Sequence, residues 1–370
     1  YNEGNEVISE QEIKSQFPET YEYLKNSRDQ LDGRDYFDES NKNWYELWCP
    51  RDVNLFVDSN KILAQEIAEE NTFTMDSSQL FFNTKVFGIK TTSEIPDEYI
   101  TANLNSNICE FEFKTRSVPK QGGFYEYKTQ YLENIPIVVP DSQDIINDIV
   151  DLHNSLRKYS TEKNSLNLNL FDYLGLSVSD GIYERIKGDK LEDLYIPPSG
   201  LADSIFSKTS DQLDSLRLET VRVEHDGGKL VIKGQARYKP EDQEQYETDR
   251  WGYTQTDFEP IMEFVDLDKN IKYLIESYVP AVVDESGGFA DFRKKATKTN
   301  SLVDRLEKLT LPGIDSVEDG LGRFIDMKDR FEFLDSEIDD IEKELDEKFY
   351  NLYNLSEEEK AIIEKQLANK

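Results

Sequence analysis

The chain has 370 residues, of which 37% are hydrophobic and 12% aromatic, and its formal net charge at pH 7 is -33. These apolar side chains suffice for buried cores, which excludes a disordered chain, and no run approaches the roughly 20 apolar residues of a membrane span. We therefore expect two or three domains and no membrane partner. Because the first residue is Tyr1 rather than Met, we also expect a fragment or processed product of a longer protein.

The acidic excess is spread along the chain. Residues 1–140 carry 25 acidic and 13 basic side chains, and residues 141–370 carry 51 and 30. A spread excess is typical of a halophilic protein in a salt-rich cytoplasm, where surface carboxylates keep the chain hydrated and soluble. We therefore expect a cytoplasmic protein. A mimic of DNA or a binder of basic partners is the alternative that the charge leaves open.

The first 140 residues predict a mixture of helices and strands. Two helices are expected before Gly33, the first begun by a capping box of Ser9 and Glu12 and the second following Pro18. Short apolar runs separated by Asn, Ser, Pro and Gly then predict strands. These runs are NLFV, KILAQEI, QLFFNTKVFGI, CEFEF and IPIVV. Between the third and fourth runs, DEYITANLNSN predicts one helix.

Beyond residue 140 the pattern becomes mostly helical. Apolar residues at helical spacing predict one helix in 141–160. Short helices up to residue 198 are expected in the segments LFDYLGL, IYERI and LEDLY. Alternation on both sides of the turn Asp226-Gly227-Gly228 then predicts a β-hairpin near 216–238.

Helical spacing returns after the hairpin. Helices are predicted in 259–278, in the segment FADFRKKATKTNSLVDRLEKL and in 324–353. The apolar stripe of 324–353 fits either a core-facing helix or a coiled-coil arm. A capping box of Ser356 and Glu359 predicts the start of a final helix.

These elements define an α+β fold in three parts. We expect a mixed α/β domain with a small, largely antiparallel sheet in 1–140, a helical connector in 141–205 and a mostly helical domain with one hairpin in 206–370. The division follows two shifts in pattern, from strands to helices near 141 and from helices to the hairpin near 215.

The sequence shows no motif for catalysis. It has no Gly-rich turn after a strand, which binding of S-adenosyl-L-methionine needs, no Walker A loop and no nucleophile elbow. IPPSG at 196–200 lacks the Asn and the aromatic residue of the Asn-Pro-Pro-Tyr loop that holds a flipped adenine. Cys49, Cys109, His153 and His225 have no zinc-site spacing, and a disulfide between the two cysteines stays open. We expect no catalytic residue, metal or cofactor in this chain.

One short segment departs from the acidic background. KTRSVPKQGGFYEYKTQ, residues 114–130, holds four cationic residues and one acidic residue. Its cations suit DNA phosphates, its Arg and Gln suit the base edges of guanine and adenine, and its Gly-Gly pair allows a tight turn. Tyr125 and Tyr127 would share one face of a strand. The candidate DNA contacts are Lys114, Arg116, Lys120, Gln121, Tyr125 and Lys128. A hairpin with surface lysines is the alternative.

The order of segments in 17–140 resembles the TaqI-like C-terminal specificity domain, the target-recognition part of adenine-N6 DNA methyltransferases and single-chain restriction–modification proteins. In order, these segments are PETYEYLKNSRDQLDGR, NKNWYELWCPRD, KILAQEI, FTMDSSQLFFNTKVFGI and YITANLNSNICEFEFKTRSVPKQGGFYEYKTQYLENIPIVVP. FYNLYNL at 349–355 and the Glu-rich segment after it also resemble the C-terminal helices of those proteins.

The resemblance implies recognition of a DNA sequence by a chain that is not catalytic alone. Its partners would be double-stranded DNA and an upstream methyltransferase domain of the same parent chain, which would hold the S-adenosylmethionine. The parent would be a site-specific adenine DNA methyltransferase, with or without endonuclease activity. Trp44 and Arg51 become second-tier DNA contacts, although Trp44 also fits a core position. The alternative is a scaffold that packs the long helix 324–353 on a catalytic domain or partner.

Overall fold

The computed structural model describes residues 6–34, 37, 40–47, 53–57, 60–92, 94–176, 188–242, 245–285 and 296–368. The chain forms two compact units. Unit 1 comprises Tyr1–Asn164 together with Leu334–Lys370, and unit 2 comprises Ser165–Phe333. The predicted boundaries at 140 and 205 do not coincide with this partition, and as a functional division they stay a prediction.

The described part of the chain has the following elements. The helices are α1 (Glu10–Gln16), α2 (Pro18–Asn26), α3 (Arg28–Asp32), α4 (Val53–Val57), α5 (Asp97–Asn105), α6 (Asn107–Arg116), α7 (Thr129–Leu132), α8 (Gln143–Ser165), α9 (Leu170–Leu174), α10 (Leu191–Leu194), α11 (Lys269–Glu285), α12 (Leu302–Leu306), α13 (Ile314–Leu352) and α14 (Glu357–Ala368). The strands are β1 (Lys61–Gln65), β2 (Ile67–Ala68), β3 (Thr74–Asp76), β4 (Val86–Ile89), β5 (Tyr125–Glu126), β6 (Asp214–Asp226), β7 (Lys229–Lys239), β8 (Thr254–Gln255) and β9 (Glu259–Phe264). The predicted α+β class is confirmed.

Unit 1 contains two small antiparallel sheets. The first has the order β3-β1-β4, and the second pairs β2 with β5. Apolar side chains of β1, α5 and α6 form one core around Phe113, whose ring stacks on that of Tyr127 with centroids 4.0 Å apart. A further cluster buries Tyr99, Ile149 and Phe349, so that α13 completes the packing of α5 and α8.

Three of the five strands predicted before residue 140 are wrong. NLFV lies in α4, CEFEF lies in α6, and IPIVV contains no strand. In α6, Cys109 and Phe113 are both buried, four residues apart, so packing along a helical stripe overrides the strand preference of alternating Phe. Pro136 has no N–H to donate to a sheet ladder within IPIVV. The helix predicted in DEYITANLNSN is confirmed as α5.

Unit 2 is built on the predicted hairpin, which is confirmed. β6 and β7 pair antiparallel, with Asp226 opposite Lys229, and Gly227 and Gly228 take φ values of 55° and 87° in the turn. The left-handed region favours Gly, which is why this turn is visible in the sequence. The other edge of β7 pairs with β8 and β9.

Two of the helices predicted in unit 2 differ from the helices in the structure. The helix predicted in 259–278 begins only at Lys269, because Glu259–Phe264 pairs with β7 as strand β9. Of FADFRKKATKTNSLVDRLEKL, the described residues form only the short helix α12, which Ser301 and Asp304 begin with a capping box. The start of that segment and the segment IYERI lie outside the described residues.

The long helix α13 faces the core. This is one of the two alternatives that its sequence allows, the other being a coiled-coil arm. Leu334, Ile338, Leu345 and Phe349 are all buried within the chain. The helix begins at Ile314, ten residues before the predicted start. The capping box that Ser356 forms with Glu359 is confirmed at the start of α14.

Two glycines of α13 offer a matched test of packing in unit 2. A Cβ atom on Gly320 would lie 2.1 Å from the carbonyl oxygen of Tyr173, whereas a Cβ atom on Gly322 would meet nothing within 4 Å. We expect Gly320→Ala to lower the free energy of unfolding by about 2 kcal/mol, because backbone would have to move. Gly322→Ala should raise it by up to about 1 kcal/mol through helix propensity. Urea denaturation of both variants checks this, and a stabilised Gly320→Ala would refute it.

Candidate nucleic-acid interface

The basic segment 114–130 runs from a helix through a turn into a strand. Lys114 and Arg116 lie in the last turn of α6, where cations complement the helix dipole. Gly122 and Gly123 both have φ of 84°, a conformation that favours Gly. The N–H of Lys120 donates to the carbonyl oxygen of Phe124 at 2.7 Å and closes the turn. The tight turn expected at the Gly-Gly pair is therefore present.

The two tyrosines that follow the turn differ in exposure. β5 pairs with β2, so that Tyr125 lies opposite Ala68. Tyr125 is half-buried, whereas Tyr127 is 2% exposed and donates its hydroxyl hydrogen to Oδ1 of Asn71 at 2.8 Å. Tyr127 is thus a core residue, and Tyr125 is the one of the two that a ligand can reach.

The cations of the segment are held in ion pairs. Lys114 pairs with Glu110 at 2.5 Å and Arg116 pairs with Glu112, one helical turn earlier in each case. Both Lys120 and Lys128 pair with Glu126, with N–O distances of 3.5 and 3.0 Å. The hydrogen bond from Lys128 and the charge of Lys120 keep the pKa of Glu126 below its usual value.

The ion pairs leave most of these cations available. The side chains of Arg116, Lys120 and Lys128 are 49%, 41% and 48% exposed, whereas that of Lys114 is 13% exposed. Exposed ion pairs contribute about 0–1 kcal/mol, so a phosphate can replace the carboxylate at little cost. Gln121, at the tip of the turn, is exposed as well.

A cavity of about 400 Å³ lies beside the glycine turn. It is lined by Glu69, Phe111, Lys114, Gly122, Gly123, Tyr125, Gln366 and Leu367. Lys114 also lies 5.3 Å from the ring centre of Tyr125. Gln366 and Leu367 come from α14 and were not among the predicted site residues, because nothing in the local sequence indicates that the last helix reaches this turn.

The two second-tier residues differ in what the structure shows. Trp44 is 8% exposed, and its carbonyl oxygen accepts a hydrogen bond from Arg34 at 2.7 Å. The guanidinium of Arg28 lies 4.9 Å from the Trp44 ring. This burial fits the core position that the sequence also allowed, and a DNA contact by Trp44 stays a prediction. Arg51 lies outside the described residues.

The helix that carries Lys114 and Arg116 is capped from α13. The backbone N–H of Asn107 donates to Oδ1 of Asp346 at 2.7 Å, and its side-chain amide donates to Oδ2 at 2.6 Å. Burial raises the pKa of Asp346 to about 7, against the lowering effect of the Asn107 N–H, and the nearby carboxylates of Glu342, Glu110 and Glu364 raise it further. A carboxylate at a helix N-terminus satisfies an otherwise unpaired N–H.

Cys109 and His153 are both buried. Cys109 is a free, buried thiol that donates to Oδ1 of Asn103 at 3.1 Å. His153 is buried, and this burial, with the charge of Arg157, lowers its pKa to about 4. Across the described ranges, no group of three or more His, Cys, Asp or Glu side chains is placed to hold a metal ion. None of the helices described is both long and apolar enough to cross a membrane.

Comparison with known proteins gives a family match for the N-terminal part of the chain. Residues 1–137 match the family model of the TaqI-like C-terminal specificity domain, which confirms the resemblance. The chain is also similar to the type II methyltransferase M.BanIII of Aneurinibacillus aneurinilyticus, with 27% identity over 168 residues. The alignment covers 42% of this chain and 28% of that methyltransferase.

Proposed function

We propose that this chain reads a specific sequence in double-stranded DNA, as the specificity part of an adenine-N6 methyltransferase in a restriction–modification system. The observation that carries the proposal is the match of residues 1–137 to the TaqI-like C-terminal specificity domain. The similarity to a type II methyltransferase supports it. The proposal assigns methylation and S-adenosylmethionine to an upstream domain of the parent chain, because the sequence here has no motif for either.

The basic segment 114–130, with its turn at Gly122 and Gly123, is the proposed DNA-reading element and is called the basic turn. Its exposed cations, Arg116, Lys120 and Lys128, suit phosphates, and they surround a turn that two glycines keep free of Cβ atoms. Gln121 at the tip suits the edge of an adenine, and Arg116 suits that of a guanine. A turn of this kind can approach the groove floor while the flanking cations hold the backbone.

The charge of the chain implies an unusual salt dependence. With a net charge of -33, most of the surface repels DNA, so phosphate contacts are confined to local clusters of basic side chains. Counterion release then contributes little affinity, and base contacts contribute more. We expect the logarithm of the binding constant to fall less steeply with the logarithm of salt concentration than for a basic DNA-binding domain, a comparison that fluorescence anisotropy can make.

Substitutions in the turn test the proposal. We expect Arg116→Ala with Lys120→Ala to weaken binding to the preferred site about tenfold or more, or to relax sequence preference, because phosphate and base contacts are lost. The measurement is selection from a randomised DNA library by the 370-residue chain, followed by titration with the selected site. The control is Lys328→Ala, which removes a 56% exposed lysine paired with Glu332. Unchanged affinity and preference in the double variant would refute the site, and no binding by the unaltered chain would refute the function.

A further inference from the structure

The β6–β7 hairpin of unit 2 has two unlike faces. Residues such as Leu218, Ile232 and Ala236 are buried in the core of unit 2. Cross-strand partners share a face, as do residues two apart on one strand. The pairs Arg217–Arg237 and Arg222–Lys233 therefore lie on the opposite face, and so does Lys239 on β7. Charge is thus concentrated on the face that does not contribute to the core.

Aromatic rings lie among these cations. Arg217, Arg237 and Lys239 surround Tyr253, with their charged groups 5.4, 4.7 and 4.9 Å from the ring centre. Tyr253 comes directly before β8, which pairs with β7 and so holds the ring at this position. Rings at these distances stabilise cations and orient planar guanidinium groups, whose edges remain free to donate hydrogen bonds.

Two more arginines lie against aromatic rings near this sheet. Arg222 lies 4.2 Å from the ring centre of Phe258, and Arg250 lies 3.9 Å from that of Trp251. The side chain of Trp251 is itself well exposed, at 58%. We call the set formed by Arg217, Arg222, Lys233, Arg237, Lys239 and Tyr253, together with Arg250 of the adjoining loop, the cationic sheet face.

The cations of this face exceed the carboxylates that pair with them. Arg217 and Arg237 share Glu219, and Arg237 also pairs with Asp249. A second shared carboxylate, that of Glu224, serves both Arg222 and Lys233.

For two cations of the face, the structure describes no carboxylate partner. Among the residues that the structure describes, Lys239 and Arg250 form no ion pair. Six cations are therefore matched by three carboxylates, in a chain whose acidic residues outnumber its basic ones by 76 to 43. A cleft of about 610 Å³ lies beside Arg237 and Tyr253, and Glu247 and Asp249 also line it. Within this set the cations outnumber their carboxylate partners, whereas in the whole chain the acidic residues are in excess.

We propose that the cationic sheet face binds the sugar–phosphate backbone of double-stranded DNA, as a contact that does not depend on sequence. Repeated cations match repeated phosphates, and arginine donates to phosphate oxygens in a bidentate fashion. The inference rests on the proposed function for its ligand, and it gives unit 2 a role of its own. Unit 1 would read the sequence, while this face would add affinity for any sequence.

Lys239 and Arg250, which form no ion pair with a carboxylate of the described residues, provide the cleanest test. Substituting Lys239→Ala together with Arg250→Ala leaves every ion pair of the face in place, so the fold should be retained. We expect binding of the 370-residue chain to weaken about tenfold for the preferred site and for unrelated DNA alike. The slope of log affinity against log salt should become shallower by about 2, because two phosphate contacts are lost. The sequence preference should not change.

A matched control removes the same charge elsewhere in unit 2. Arg323→Ala with Lys328→Ala takes two cations from exposed positions of α13 and should leave both affinity and salt slope nearly unchanged. Thermal unfolding of both double variants checks that the fold is intact, and Lys239→Gln with Arg250→Gln repeats the test with longer side chains. Equal losses in the sheet-face and control variants would overturn the inference, as would a changed sequence preference. If the unaltered chain binds DNA and the sheet-face variant binds it equally well, only this inference fails. If the unaltered chain binds no DNA, the proposed function fails.

Discussion

Replacing Lys61 by Met is expected to lower the free energy of unfolding of unit 1 by about 3–5 kcal/mol. Lys61 on β1 lies opposite Asp76 on β3, with Nζ 2.5 Å from Oδ2 and the two side chains 0% and 1% exposed. Removing the ammonium would leave a buried carboxylate without its counter-charge. Breaking a buried pair from one side is costly for this reason, even where the intact pair adds little net stability.

The charge on Asp76 is itself maintained by the surrounding structure. Burial opposes its ionisation, but Lys61 and the N–H groups of Ser78 and Leu80, each 2.8 Å from a carboxylate oxygen, together hold its pKa below the usual value. The stability that this lowered pKa contributes is present above the unfolded-state pKa and is lost as pH falls through the folded-state pKa. Lys61→Met should therefore destabilise unit 1 strongly at neutral pH and less strongly in acid.

An exposed ion pair of the same unit is the matched control. Lys85 pairs with Glu66 at 2.6 Å, and the lysine side chain is 70% exposed. Lys85→Met should change the free energy of unfolding by less than about 1 kcal/mol, because solvent screens the pair. Urea denaturation at pH 7 and pH 4 distinguishes the two variants. A Lys61→Met protein as stable as Lys85→Met at pH 7 would show that Asp76 finds another partner.

The stability of unit 1 is also expected to fall as pH rises towards 7, because of Asp346. Its folded-state pKa is about 7, whereas an unfolded aspartate titrates near 4. Between these values the folded state holds a proton that the unfolded state has lost. The contribution of the protonated carboxyl is complete below the unfolded-state pKa and is lost as pH rises through the folded-state pKa, by up to about 1.4 kcal/mol per pH unit. The full loss is on the order of 3–4 kcal/mol.

Asp346→Asn isolates this contribution. The amide can still accept a hydrogen bond from the N–H of Asn107 but does not ionise, so the variant should gain stability relative to the original protein as pH rises from 5 to 8. The contact with the Asn107 side chain is less favourable in the amide and adds a constant cost of about 1 kcal/mol. The control is Asp340→Asn on the same helix, at a side chain that is 72% exposed. Denaturation midpoints at four pH values provide the measurement, and parallel pH profiles for Asp346→Asn and the original protein would refute the assignment.

Local chemistry explains which parts of the fold are predictable from the sequence. The hairpin is predictable because Asp226-Gly227-Gly228 specifies its own turn, and α14 because Ser356 and Glu359 specify its first turn. The helix that contains CEFEF is not predictable in this way. Its alternating polar and apolar residues suit a strand, whereas the burial of Cys109 and Phe113 favours a helix. The short strands near the cores depend on partners far away in sequence, which a local pattern does not contain.

The candidate site, too, could be predicted from the sequence only in part. Its charge excess is visible in the sequence, but the pairing of those charges is not. Glu110 with Lys114 and Glu112 with Arg116 are neighbours only on a helix, so the prediction of a strand concealed both ion pairs. Gln366 and Leu367 reach the cavity through tertiary packing, which no local motif indicates.

The discontinuity of unit 1 affects how the protein is made on the ribosome. Residues 1–164 emerge first, but Leu345 and Phe349, which pack with Tyr99 and Ile149, emerge only after all of unit 2. At ordinary rates of translation this delay is on the order of ten seconds or more, during which unit 2 can fold while unit 1 waits. A transplant of the family-matched residues 1–137 into another protein would therefore carry the basic turn without the Asp346 cap and without Ile146, Ile149, Leu345 and Phe349, which pack on Tyr99.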